Sequence, residues 1–424
     1  MEVAEHPEFA ELSTRVGPLA QRFSQAGYRF YLVGGLVRDL VLGRKLSSDV
    51  DVTTDALPEE IIKLLRGWAD AVWDQGARFG TIGASTDGIV YEITTHRSES
   101  YSSDSRKPVV DFSSAIDDDL ARRDFTVNAM AVEVPGDVLV DPHGGRGDLV
   151  AGVLRTPLDP MVSFSDDPLR MLRAARFSSG YELQPVEGLE SAIVLLRDRI
   201  GIVSRERIRD EFDKLFSVAR PAAGLTLLAR TGLLGLVIPG AADLPAARFE
   251  LLDRLEASPS IRLAALLESA TTSRSELTAL LEQLRFSSKF SREVVSLVGA
   301  LRQSRALVAT GDDGEAVMVA ARRLLHAYGD FTELALAVLD ADQVGNVAAL
   351  FEAVRAVRTV EGVDELAGPL TGHDVVAAIG AGSGPVIGEA LAMLTEARLT
   401  RGPMTSDEAK HLLERWWATR TTEV

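Results

Sequence analysis

In this 424-residue chain, nearly every run of residues that favours β-strand falls within the first 160 positions. Val-, Ile-, Thr- and Tyr-rich stretches stand at Arg29–Val33, Asp49–Thr53, Gly88–Thr95 and Thr126–Val132, with helix signals such as Pro58–Leu65 between them. From about Ser165 onward Leu, Ala, Arg and Glu fill helix-length segments punctuated at Arg220-Pro221, Pro239-Gly240 and Gly362. The pattern predicts an α/β or α+β first portion, then an all-helical remainder built as successive small bundles. At roughly 150 residues per domain the chain should hold about two to four domains.

Composition narrows the chemistry. There is no cysteine, which excludes disulfides, a thiolate nucleophile and cysteine-ligated metal, and only six histidines are present. Lys and Arg number 45 against 62 Asp and Glu, a net charge of −17. Such a chain does not bind nucleic acid through bulk charge, so any polyanion must meet a local basic face or a metal. Met1–Arg22 has no apolar core of the signal-peptide kind, and no apolar run approaches the ~18 residues of a membrane span. A soluble cytoplasmic protein is expected.

After the strand ending at Val33 come Gly34 and Gly35, then Arg38 and Asp39. A glycine pair between strand and helix lets backbone N–H groups approach a phosphate, although read alone it equally suits a plain turn. Asp49 and Asp51 lie in the next strand. The two-residue period turns both carboxylates to one face, about 6–7 Å apart. Hard oxygen ligands with nothing soft nearby suit Mg²⁺, and two ions held there would activate an attacking hydroxyl and neutralise a leaving pyrophosphate. Exposed strand-end carboxylates are the alternative for this pair alone.

Asp119–Ala131 places Arg122, Arg123, Asp124 and Asn128 beside a strand, the adjacent arginines offering planar forks for phosphate or ribose oxygens. In Ser165–Phe177, Ser165 reads as an N-cap with Pro168 in the first turn. Asp167, Arg170, Arg173 and Arg176 then recur every third residue, side by side on the helix. Asp167 and Arg170 can hold each other's geometry. A carboxylate beside a guanidinium can read a base edge, taking an exocyclic amine and donating to a ring nitrogen or carbonyl. A salt-bridged surface helix is the other reading of the same residues.

Leu32–Asp39 followed by Ser48–Thr53 resembles the head motif of class II nucleotidyltransferases, the family of bacterial CCA-adding enzymes and poly(A) polymerases. Arg122–Ala129 resembles the family's second motif almost letter for letter, and Asp166–Phe177 its Glu-Asp-x-x-Arg motif, with Asp166 where the family usually has Glu. The resemblance implies a polymerase-β-like head with a mixed sheet over residues 1–157 and a neck over 158–220. A helical body with a degenerate phosphohydrolase-like segment would follow over 221–360, then a helical tail over 361–424.

It further implies that Asp49 and Asp51 carry two Mg²⁺, that Gly34, Gly35 and Arg38 face the pyrophosphate, and that Arg123 contacts the nucleotide. Asp124 and Asn128 would organise its sugar, Asp167 and Arg170 would select C or A, and Arg173 and Arg176 would reach base or triphosphate. The expected partners are the 3′ end of tRNA, CTP and ATP, with no DNA and no membrane. Arg205, Arg207, Arg209 and Lys214, in a segment resembling the family's neck helix, would give a local RNA phosphate track, a solvated helix face being the equal alternative. The expected activity is template-independent addition of C, C and A to tRNA, the alternative being poly(A) synthesis or partial CC- or A-addition.

The polar Arg97–Pro108 stretch reads as a mobile loop, which the family associates with adding the terminal A. The Asn-Ala-Met ending at Met130 leans toward CCA-adding members. His373-Asp374 reads as tail structure and Trp416-Trp417 as a packed helix end. Glu268-Ser269 after Leu263–Leu267, where some relatives carry His-Asp, predicts no phosphohydrolase activity.

Overall fold

The computed structural model describes residues 7–46, 49–100, 109–310, 314–380 and 384–422, and divides into two compact units, Met1–Val237 and Ile238–Val424. In the first unit the strands are β1 (Tyr31–Val33), β2 (Val50–Thr54), β3 (Ala71–Trp73), β4 (Thr81–Thr86), β5 (Ile89–Thr95), β6 (Arg97–Ser100), β7 (Val109–Phe112), β8 (Ala131–Glu133) and β9 (Val138–Val140). Its helices include α1 (Phe9–Gln25), α2 (Gly35–Leu42), α3 (Pro58–Leu65), α4 (Ile116–Ala121) and α5 (Gly145–Ala151). They continue with α6 (Pro160–Asp166), α7 (Leu169–Gly180), α8 (Leu189–Leu196), α9 (Arg205–Ser217) and α10 (Ala222–Arg230).

Seven strands form one mixed sheet in the order β3-β4-β5-β2-β1-β8-β9. Most pairs are antiparallel, but β2 and β5 run parallel in a register that sets Asp51 opposite Glu92. β2 alternates as the sequence predicts: Val50 and Val52 are buried, Asp49 and Asp51 exposed.

Three local expectations are corrected. Thr126–Asn128 is a 3₁₀ turn, and the strand starts only at Ala131. Polar anchoring overrides β propensity there: Thr126 Oγ1 donates to Asp148 Oδ2 at 2.6 Å, and Asn128 is bonded at both ends of its amide. Gly145 lets α5 close on this turn, since a Cβ at that position would sit 2.1 Å from the Thr126 carbonyl. Second, Ser165 caps no helix. It lies in α6, whose own cap is Asp159 accepting from Met161 N–H at 2.7 Å. The next helix begins at Leu169, because a residue preceding proline avoids helical backbone, and Asp167 is accordingly extended (φ −134°, ψ 98°). Third, Arg97–Ser100 is strand, paired antiparallel with Val109–Phe112, while residues 101–108 of the expected loop lie outside the described residues.

The second unit is helical: α11 (Ala246–Arg254), α12 (Pro259–Ala270), α13 (Arg274–Gln283), α14 (Ser288–Thr310), α15 (Glu315–Tyr328), α16 (Phe331–Ala341), α17 (Val347–Ala356), α18 (Gly372–Ile379), α19 (Pro385–Arg401) and α20 (Ser406–Thr422). Glu268 is held by Arg305 Nε at 2.8 Å and is an ion-pair anchor. Asp374 closes a capping box with Thr371 at the start of α18, as expected of a structural His-Asp pair. Trp416 packs on the core formed by Val375, Leu394 and Leu413. Among the described residues no helix is long and apolar enough to cross a membrane.

Candidate active site

A cleft of about 310 Å³ opens over the first unit's sheet. Its acidic end is built by Asp51 on β2 and Glu92 on β5, brought abreast by the parallel register. The Asp51 carboxyl is pushed up, first by desolvation and then by Glu92 and Asp49, with the Arg123 charge opposing. Asp49, one strand step away, is exposed ahead of β2. Glu92 lies outside the sequence motifs. Its sequence signal is a lone charged residue between Tyr91 and Ile93 in an otherwise uncharged strand.

Gly34 sits where strand turns into α2, with φ +72°. A side chain there would be strained, and its Cβ would lie 3.3 Å from Arg123 Nη1 and 3.6 Å from Asp51 Oδ2. The glycine therefore lets the turn run directly beside the carboxylate and the guanidinium. Arg38, on α2, does not line the cleft. It is buried, donates Nη1–H to Asn128 Oδ1 at 2.8 Å, pairs with Asp39 and stacks 4.1 Å from the Tyr181 ring.

The arginine forks of the cleft are fixed from behind. Asp119 is fully buried and accepts from Arg122 Nε at 3.3 Å and from Arg123 Nη2 at 3.0 Å. Asp124 accepts from Arg173 Nε at 2.8 Å and from Asn128 Nδ2 at 3.0 Å. Burial alone would raise its carboxyl, but the Arg173 charge and these hydrogen bonds outweigh that and hold it at about 2. Arg173 also faces Glu211 on α9 at 3.5 Å.

Asp167 and Arg170 both line the cleft, yet each is held by other residues rather than by the pairing expected at this spacing. Asp167 Oδ1 accepts from Leu169 N–H at 3.1 Å and so caps α7, while Oδ2 accepts from Arg207 Nη2 at 2.8 Å. Arg170 donates Nη1–H to Ser163 Oγ at 2.9 Å and Nη2–H to the Arg122 carbonyl. The intervening Pro168 turns Asp167 off the helical path, which parts the two side chains. Asp119, Ser163 and Glu211 are supporting residues that sequence reading did not find, because their partners are distant in sequence or hidden in burial.

The cleft thus gathers Asp51, Arg123, Asp124, Asp167, Arg170 and Arg173. Arg176 is elsewhere: it donates to Glu211 at 2.8 Å and, with Lys214, lines a separate cavity beside Tyr181. Of the expected phosphate track, Arg207 enters the cleft, Arg209 pairs with Asp210, and Arg205 opens α9 half-buried.

Residues 30–155 match the poly(A) polymerase head domain, and residues 185–244 match the model described as a probable RNA- and SrmB-binding site of polymerase A. A CCA-adding enzyme of Geobacillus sp. (strain WCH70) is 39% identical over 216 residues, 51% of this chain and 52% of that protein. Another, from Lactobacillus helveticus (strain DPC 4571), is 43% identical over 199 residues, 47% of this chain and 48% of that protein. The crystal structure of the Bacillus stearothermophilus CCA-adding enzyme in complex with CTP aligns with a TM-score of 0.76 at 27% identity, covering 99% of this chain and all of that one. Over its first half the chain is thus similar in sequence to CCA-adding enzymes and bacterial poly(A) polymerases, and over its whole length it is similar in fold to a CCA-adding enzyme. In sequence the chain spans about half the length of the curated relatives it matches.

The nucleotidyltransferases that the chain resembles generally use divalent metal ions, and the donor set here suits one. Among the described residues no three His, Asp or Glu side chains close into a metal cage. Mg²⁺ needs no such cage: it is commonly held by one or two carboxylates, with water and substrate phosphate completing an octahedron. Asp49 and Asp51 supply that minimum on an open, hard-oxygen face with Glu92 adjoining.

Proposed function

We propose that this protein is a template-independent nucleotidyltransferase that adds C, C and A to the 3′ end of tRNA from CTP and ATP, releasing pyrophosphate. One juxtaposition carries the reading: the carboxylate floor of Asp51 and Glu92 shares its cleft with the Asp167 and Arg170 pair and with the Arg122 and Arg123 forks. Further support comes from similar enzymes whose structures were solved in complex with CTP.

In this reading Asp49 and Asp51 hold two Mg²⁺ ions. Bound magnesium would activate the attacking ribose hydroxyl and offset the charge of the leaving pyrophosphate. The chain's own residues do the positioning. Gly34 and Gly35 leave room for the triphosphate, and Arg123 orients its oxygens with Asp124, held by Asn128, toward the sugar. Arg173 lines this wall, and Arg38 and Arg176 stiffen it from behind. Asp167 accepts from the exocyclic amine that C and A share, and Arg170 donates to the adjoining ring acceptor. U and G present a carbonyl where the amine should be, which a carboxylate repels.

We assign head, neck, body and tail to residues 1–157, 158–220, 221–360 and 361–424. Arg205, Arg209 and Lys214 provide RNA phosphate contacts, and the cytoplasm is the site of action.

Incubation with tRNA lacking its terminus, with CTP and ATP separately and together, tests the proposal. Growth that stops after three residues supports it. A long A ladder from ATP alone replaces it with poly(A) synthesis, and no incorporation overturns it. Arg170→Ala should blur the choice of C and A over U and G.

A further inference from the structure

Arg207 belongs to the row of basic residues that sequence reads as an RNA phosphate track, but its side chain turns into the nucleotide cleft and is spent on Asp167. Its Nη2 stands 2.8 Å from Asp167 Oδ2, across forty residues of sequence. The other oxygen of Asp167 is committed to Leu169 N–H at 3.1 Å. Each carboxylate oxygen carries two lone pairs. With one used on each oxygen, the plane of the carboxylate is set, and the acceptor direction left on Oδ2 is fixed. One turn further along α9, Glu211 accepts from Arg176 at 2.8 Å and faces Arg173 at 3.5 Å. Residues 207 and 211 are neighbours on one helix face. That single face of α9 fastens both the start of α7 and its later arginines.

We propose that Arg207 is a specificity-positioning residue: by fixing Asp167 Oδ2 it sets which base edge the cleft accepts, and it does not serve as a contact to the RNA backbone. The inference rests on the reading of Asp167 as the base-amine acceptor. Removing Arg207 leaves Asp167 capped at Oδ1 but free to rotate about that bond, so a carbonyl-bearing base is rejected less sharply.

The test uses the full chain with tRNA lacking its terminus. Single-nucleotide incorporation of CTP, ATP, UTP and GTP is resolved into nucleotide KM and kcat, and RNA binding is measured over a range of salt. Arg207→Met, which keeps an apolar stem, should raise the KM for CTP and ATP and lower discrimination against UTP and GTP by about tenfold. RNA affinity should hold within about twofold, with an unchanged salt slope. Arg207→Lys, which retains a donor, should restore most of the discrimination. Arg207 is largely exposed, and equal melting temperatures for the variants verify the fold. Unchanged discrimination together with weaker RNA binding and a salt slope flatter by about one ion overturns the inference in favour of a phosphate contact. Asp167→Asn, run alongside, separates the two levels. Lost discrimination there with none lost in Arg207→Met defeats this inference alone, whereas full discrimination in Asp167→Asn defeats the base-reading role itself.

Discussion

Asp51 and Glu92 face each other across two parallel strands, paired residue for residue. Like charges on adjacent strands destabilise a sheet, and the Asp51 carboxyl is raised, first by burial and then by the Glu92 charge. Such an arrangement is tolerated where a cation is to be bound. Asp51→Asn should therefore abolish nucleotide transfer, by about 10³-fold or more, without lowering the melting temperature. Glu92→Gln should cost less activity, about 10–100-fold. Steady-state assays and calorimetry on the same samples check both halves. A variant that lost stability as well as activity would contradict the like-charge account.

Asp124 supplies a pH prediction. Its folded-state value of about 2 lies below the ordinary carboxylate range, so the group stabilises the fold at neutral pH and that contribution disappears as pH falls from about 4 toward 2. The shift corresponds to roughly 2 kcal/mol. Denaturant unfolding of wild type and Asp124→Asn should give a stability difference that is largest above pH 5 and shrinks through this window. A constant difference from pH 5 to 2 would refute it.

At Gly34 a methyl group meets both backbone strain and the Arg123 guanidinium 3.3 Å away. Gly34→Ala should cost about 1–2 kcal/mol of stability and reduce kcat about tenfold or more by displacing Arg123 from its place beside Asp51. The RNA KM should change little. Melting curves and a KM-against-kcat comparison test this.

In the second unit Glu361 bridges two buried arginines, Arg322 at 2.8 Å and Arg398 at 2.8 Å. Removing a shared counter-ion leaves both cations uncompensated, a cost of about 3–5 kcal/mol. Glu361→Ala should therefore lower that unit's melting transition by roughly 10 °C, as read by calorimetry.

Much of this architecture was legible because the deciding signals are local. The alternation around Asp49 and Asp51 needs only five residues, and α3 begins at Pro58 and ends at Leu65 as the sequence indicates. What local patterns do not carry is pairing at a distance. Strand register brought Glu92 to Asp51, and no periodicity within either strand contains that alignment. Thr126–Asn128 has strand-like composition but turns because Asp148, Asp124 and Arg38 claim its polar groups. The start of α7 differs from the sequence expectation because Ser165 offers a good cap chemically, while the backbone restriction imposed by Pro168 leaves that duty to Asp167.

On the base-reading role proposed for Asp167, its hydrogen bond to Leu169 N–H ties selectivity to folding. The oxygen that finishes the first turn of α7 belongs to the same side chain that would greet the incoming base, and that helix also carries Arg170. Any replacement chosen to welcome a different nucleotide must also begin a helix, a demand only a few short polar side chains meet. Drift in preference at this position is thus restrained twice, once by chemistry at the cleft and once by the fraying that a poor cap would bring.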